Sequence, residues 1–125
     1  MKRSPISRSP MVKRAPKNPV PKAVKDAVLD RDPLCLSCGE PSTVANHRYG
    51  GMGGNRPQYV AAMTGACWWC NVEYERAGVK EAHANGWRLE HWQNAYEWPV
   101  SDHTGQLWSL LEDGSRTPYR PEVSP

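Results

Sequence analysis

Two cysteine pairs, Cys35-Leu-Ser-Cys38 and Cys67-Trp-Trp-Cys70, are the residues whose spacing points most directly to chemistry. A C-x-x-C pair wraps a metal ion in a tight turn, and two such pairs place four thiolates tetrahedrally around one zinc. Here 28 residues separate the pairs, enough for a small fold to bring them together. Disulfides would suit a secreted chain, but the N-terminus is basic and proline-rich, with no apolar signal core and no stretch long enough to cross a membrane. A thioredoxin-like redox pair belongs near a βαβ pattern, and none is visible. The expectation is structural zinc in a reducing, cytoplasmic setting.

The second chemical stretch is Val-Ala-Asn-His-Arg-Tyr-Gly-Gly-Met-Gly-Gly, residues 44–54. It is not a Walker loop, because Asn55-Arg56-Pro57 follows where Gly-Lys-Ser/Thr would be needed. Its glycines suit a tight turn or a backbone that approaches a ligand closely. His47 is then either a histidine that packs and hydrogen-bonds within a zinc module, or a catalytic imidazole. His83, His91 and His103 have no ligand-like neighbours and read as ordinary surface or packing residues.

These residues must be positioned by a small core. The chain has 125 residues, 12 prolines, 10 glycines and a mean hydropathy of −0.74, which suits one domain with little apolar material to bury. Charge divides it unevenly. Of the 16 Lys and Arg residues, Lys2, Arg3, Arg8, Lys13, Arg14, Lys17 and Lys22 fall in residues 1–22, whereas all 13 acids come later. That segment reads as a disordered tail, either lying along a phosphate backbone, with Lys13, Arg14 and Lys17 as contacts, or serving as a solubilising leader or linker.

Val20, Ala23, Val24, Ala27 and Val28 recur at helical spacing until residues 30–33 stop them. Residues 43–49 suit a short strand carrying His47. Residues 71–84 read as a weakly amphipathic helix ended by Asn85-Gly86, residues 87–89 as a short strand, and residues 90–98 as one more helical segment. Residues 106–111 and 115–119 flank Asp113-Gly114, a hairpin turn. Trp68 and Trp69 are expected to pack on the core, with stacking on an exposed base as the other use.

Zinc holding both pairs would bring His47 near the helix that Cys70 opens. Asn71 and Glu75 stand four residues apart, on one helical face, so Asn46, His47, Asn71 and Glu75 are expected to converge. Helix capping and a solvated surface are the plain uses of Asn71 and Glu75. An imidazole beside oxygen ligands suits phosphodiester hydrolysis, with a divalent ion stabilising the leaving oxygen while neutral histidine activates water. Arg48 or Arg56 would steady a phosphate.

Together, the two C-x-x-C pairs, the Asn46-His47-Arg48 triplet, the Gly-Met-Gly-Gly loop and the helix opening at Cys70 resemble the HNH endonucleases, particularly the small ones encoded by phages of actinobacteria. The likeness spans roughly residues 23–119, including the Ala-Asn-Gly-Trp segment and the late Asp-Gly-Ser-Arg hairpin. It implies a small α+β chain with a ββα-metal, treble-clef-like fold, a structural zinc, a C-terminal hairpin and a catalytic Mg2+ or Mn2+. It further implies His47 as general base, double-stranded DNA as substrate, and a role in phage DNA packaging or processing with packaging proteins as partners. The organisation that follows is a tail over 1–22, a nuclease domain over 23–98 and a C-terminal hairpin extension over 99–125.

Three positions depart from that pattern. Asn46 stands where Asp or His commonly binds the catalytic metal, Asn71 where His is common, and Ala62 where a middle Asn often lies. An amide oxygen is a poor Mg2+ ligand beside a carboxylate, and Glu75 is the candidate to restore an anionic one. The alternative function is a catalytically impaired zinc module that binds DNA or a protein partner.

Overall fold

The computed structural model describes residues 19–50 and 56–121. The glycine run at 51–54 and the tail residues Lys13, Arg14 and Lys17 lie outside them. Helix α1 (Lys22–Arg31) buries Val28 and packs Val20 and Val24 against the core, the face set by the i, i+4 spacing of these valines. Pro33 ends it, since a residue that precedes proline is driven out of the helical region. The chain then turns through Cys35–Cys38 and enters a hairpin of β1 (Val44–His47) and β2 (Met63–Ala66), paired antiparallel from Val44↔Ala66 to His47↔Met63.

A 3-10 turn at Val60–Ala62 leads into β2, and Cys67 directly after β2 caps α2 (Trp68–Glu73). After α3 (Val79–Ala84), strands β3 (Val100–Ser101), β4 (Leu107–Leu110) and β5 (Arg116–Pro118) form a second antiparallel sheet in that order. The protein is thus a small α+β chain with two small antiparallel sheets. No helix among the described residues is long and apolar enough to cross a membrane.

One core joins the whole: Val28, Leu36, Met63, Trp87, Val100 and Leu110 belong to a single buried cluster. The C-terminal strands therefore share the core of residues 23–98. Buried ionic contacts reinforce the union. Asp32, fully buried, accepts from Arg31 at 2.7 Å and 3.0 Å, from Arg116 at 3.2 Å and from the Gly65 backbone N–H at 2.9 Å. One carboxylate thus ties α1 to β2 and β5, and its cost of burial is offset by full hydrogen bonding.

Three expected elements differ. The helix over residues 71–84 is two helices, because residues 74–78 form turns in which the Gly78 N–H donates to the Glu73 carbonyl, five residues back. Residues 90–98 are turns instead of a helix. There the Asn94 side chain accepts from the Tyr96 N–H at 2.8 Å, a local bond that competes with the helical one, and the Gln93 side chain accepts from the Glu90 N–H at 2.6 Å. Residues 87–89 form only one bridge, Leu89 beside Tyr49 in parallel. The hairpin about Asp113-Gly114 forms as expected, with Asp113 accepting from the Ser115 N–H and hydroxyl. Gly86 adopts φ +79° after α3, and a Cβ there would meet the Pro99 carbonyl oxygen at 2.0 Å, so the turn demands glycine.

Candidate functional site

The four thiols converge. Cys35 and Cys38 come from the turn after α1, Cys67 and Cys70 from the start of α2, and all four Sγ atoms lie within 4.8 Å of one another. The Cys38 and Cys67 sulfurs are 3.7 Å apart. Tetrahedral coordination with Zn–S bonds of about 2.3 Å requires sulfurs about 3.8 Å apart, so the donor set and its spacing fit zinc.

The surroundings fit as well. Burial opposes ionisation of Cys35, but the backbone N–H groups of Cys38, Cys67 and Ser37 outweigh it and hold this thiol below its ordinary value. Burial and the adjacent thiols push Cys70 upward. Four thiols packed this closely need a cation before all can be thiolates. The Cys70 N–H donates to the Cys67 sulfur at 3.4 Å. Tyr74, whose buried hydroxyl has no oxygen or nitrogen partner among the described residues, lies near enough to Cys35 and Cys70 for their charges to act on it. When bound, zinc would cross-link the turn after α1 to the start of α2.

Trp68 and Trp69 do not pack on the core. They are 64 % and 60 % exposed, because the first turn of α2 presents its cysteines inward and the intervening residues outward.

His47 stands at the other end of the hairpin from the thiols. Val44 pairs with Ala66, the residue before Cys67, whereas His47 pairs with Met63. The three residue steps of β1 separate the two ends by about 10 Å. The half-buried imidazole lies 3.0 Å from Gln58 Oε1 through its Nε2. The Gln58 amide nitrogen donates to the Pro19 carbonyl at 3.4 Å, which turns Oε1 toward the imidazole. A carbonyl oxygen only accepts, so Nε2 carries the proton and Nδ1 the lone pair. Burial above all lowers the His47 pKa below its ordinary 6.5. Gln58 and Glu75 oppose this, while the charges of Arg56 and Arg88 add to it. The net result is a neutral imidazole at neutral pH.

The expected ligand set assembles only in part. Glu75 lies beyond α2, in the turn, with its charge acting on His47. Asn71 is half-buried on α2, and its side chain makes no hydrogen bond among the described residues. Asn46 does not join His47, because successive strand residues face opposite sides. It is buried, donating to Thr64 Oγ1 and the Trp87 carbonyl, both at 2.9 Å.

Arg48 is likewise no phosphate contact. It is fully buried, donating to the carbonyls of Gly86 at 2.8 Å, Ala61 and Ala95 at 3.0 Å and Trp98 at 2.9 Å. It fastens β1 to segments far along the chain. Arg56 is partly exposed and near enough to act on His47.

Sequence reasoning missed Gln58 and Arg88. Gln58 had no signal beyond being a polar residue downstream of the glycine run. Arg88 had only a weak signal, its place between Trp87 and Leu89. It extends over Gly50, where a Cβ would lie 1.8 Å from its Nη1, and its Nη2 donates to Glu75 at 3.2 Å. Comparison of the chain with protein-family models, with curated proteins and with solved structures gives no match in any of the three.

Proposed function

We propose that the protein is an HNH-type, divalent-metal-dependent DNA endonuclease with a structural zinc. The observation that carries this reading is the state of His47: a half-buried imidazole kept neutral, its Nε2–H held by Gln58, its Nδ1 without a hydrogen-bond partner among the described residues, with the carboxylate of Glu75 within electrostatic reach. The succession of β1, β2 and α2 around four convergent thiols supports the ββα-metal, treble-clef-like reading of the fold.

In this mechanism Nδ1 of His47 takes a proton from water as the resulting hydroxide attacks the scissile phosphorus, the phosphorus–oxygen bond to the leaving sugar oxygen breaks, and that oxygen takes its proton from solvent. Gln58 holds the ring while the positive charge develops. Glu75 is the anionic group that would hold Mg2+ or Mn2+, with Asn71 as a neutral candidate neighbour. When bound, the ion would supply charge stabilisation to the leaving oxygen. Arg56 contacts a neighbouring phosphate, and Lys13, Arg14 and Lys17 add sequence-independent affinity. A phage origin, with packaging or processing as the role and packaging proteins as partners, belongs to the same proposal and rests on the resemblance.

One observation favours the second reading, an impaired module that binds DNA or a protein. Asn46, in the position that commonly supplies a metal ligand, is turned into the core. A nicking assay on supercoiled plasmid separates the two. The zinc-loaded protein should relax the plasmid only with added Mg2+ or Mn2+, and His47→Ala should lose at least a hundredfold in rate while keeping its zinc. DNA retardation without cleavage under any ion would establish the second reading instead.

A further inference from the structure

Arg88 is an unusual cation. Its side chain is only 9 % exposed, yet Glu75, its one ionic partner among the described residues, is 59 % exposed, and its Nε is buried with no hydrogen-bond partner among those residues. A buried guanidinium ordinarily has its N–H groups satisfied, as Arg48 and Arg31 do here, each by several acceptors. Arg88 is underused by comparison.

Its place is fixed nonetheless. The Leu89 N–H donates to the Arg48 carbonyl at 2.6 Å and Leu89 bridges Tyr49, so residue 88 runs alongside the chain that has just left His47. Gly50 leaves the space that the guanidinium occupies. The Arg88 and Glu75 charges both act on the imidazole. A preformed cation and a preformed anion, 3.2 Å apart, are therefore paired within electrostatic reach of His47.

We infer that Arg88 is the binding group for the scissile phosphate, and that substrate and divalent ion together replace the Arg88–Glu75 pair: the guanidinium passes to a non-bridging phosphate oxygen and the carboxylate to the ion. This inference rests on the nuclease reading and adds a residue to it. The exchange preserves charge balance. Each half of the pair gains a stronger partner, since a guanidinium matches phosphate with two parallel N–H bonds and a carboxylate suits a hard divalent cation. It also couples the two ligands. DNA that takes Arg88 leaves Glu75 free for the ion, so each tightens the binding of the other. Without either, the Arg88–Glu75 pair occupies the site.

The test is binding of a short DNA duplex to zinc-loaded protein without added divalent ion, across a salt series. Glu75→Gln frees Arg88 and should tighten binding three- to tenfold. Glu81→Gln, which removes the same charge from α3, should change it less than twofold. Arg88→Gln should weaken binding and lower the slope of log affinity against log salt by about one. In the Arg88→Gln background Glu75→Gln should give no tightening, a coupling that a purely structural arginine would not produce.

Equal effects of Glu75→Gln and Glu81→Gln overturn the inference, and that comparison stands even where Arg88→Gln fails to retain zinc. A wild type that cleaves DNA through His47 while Arg88→Gln folds, binds and cleaves normally overturns the inference alone. A wild type that binds no DNA overturns the nuclease reading with it.

Discussion

The two ends of the β1–β2 hairpin differ in kind. At one end, four like ligands close on a single point, from two tight turns whose spacing is local in sequence. At the other, His47, Arg56 with Gln58, Glu75 and Arg88 come from four segments, range from buried to exposed, and include an ion pair in which one partner is mostly solvated. A closed set of soft donors suits an ion that holds the fold, whereas a mixed set with unused capacity suits a site that must accept something. The difference teaches that, on the proposed reading, stability and chemistry are divided along one short hairpin.

The largest effect should come from breaking the closed end. Chelating zinc, or Cys70→Ser, removes a binding free energy that in small zinc modules reaches about 10–16 kcal/mol and is inseparable from folding. The expected outcome is loss of the cooperative thermal transition and of near-ultraviolet aromatic signal.

Next in size is Arg48→Met, which strands four buried carbonyls and should cost about 3–5 kcal/mol in urea unfolding. The same substitution should leave the salt slope of DNA binding unchanged in the folded protein, because this arginine faces no solvent. A lowered slope would return it to the DNA interface.

At the open end, the predictions concern pH. If His47 is the base, as proposed, burial that lowers its pKa below the ordinary 6.5 places the acid limb of the cleavage profile below that value. Arg56→Gln removes a charge that lowers this pKa, and should move the limb to higher pH. Gln58→Leu frees the ring to adopt either tautomer and should reduce the cleavage rate about tenfold, by the loss of a positioning bond.

The smallest effect belongs to neither end. Asp102 accepts from the Thr104 N–H and hydroxyl, the Gln106 N–H and Trp108 Nε1. These bonds outweigh desolvation and hold its carboxyl at about 2, below the ordinary 3.8. Its contribution is complete above pH 3.8 and is lost as pH falls toward 2. Asp102→Asn should cost about 1 kcal/mol at pH 7, with little difference from wild type at pH 2.

What could be read from the sequence follows the same division. The thiol site was legible because two-residue spacings dictate local turns. So were the Val20–Val24–Val28 face of α1 and the Asp113-Gly114 hairpin, each written within a few residues. The open end depended on distant pairing. Nothing near Asn46 announces that Thr64 and the Trp87 carbonyl will capture it, and nothing near Arg48 announces four carbonyls contributed by residues 61, 86, 95 and 98. The helix expected over residues 90–98 failed for a local reason that was present but outweighed: Asn94 carries a side chain able to take the Tyr96 N–H itself. The likeness that pointed to His47 also pointed to Asn46, and alternation along β1 separates them.

Titration of the zinc-loaded protein with Mn2+, followed by the loss of its free-ion electron paramagnetic resonance signal, tests the division most directly. The account predicts one weakly held Mn2+ per chain, abolished in Glu75→Gln with zinc content unchanged, beside a zinc that survives dialysis. Wild-type protein that binds no Mn2+, or a Glu75→Gln variant that binds it equally well, would contradict the claim that the second end of the hairpin is built for a catalytic ion.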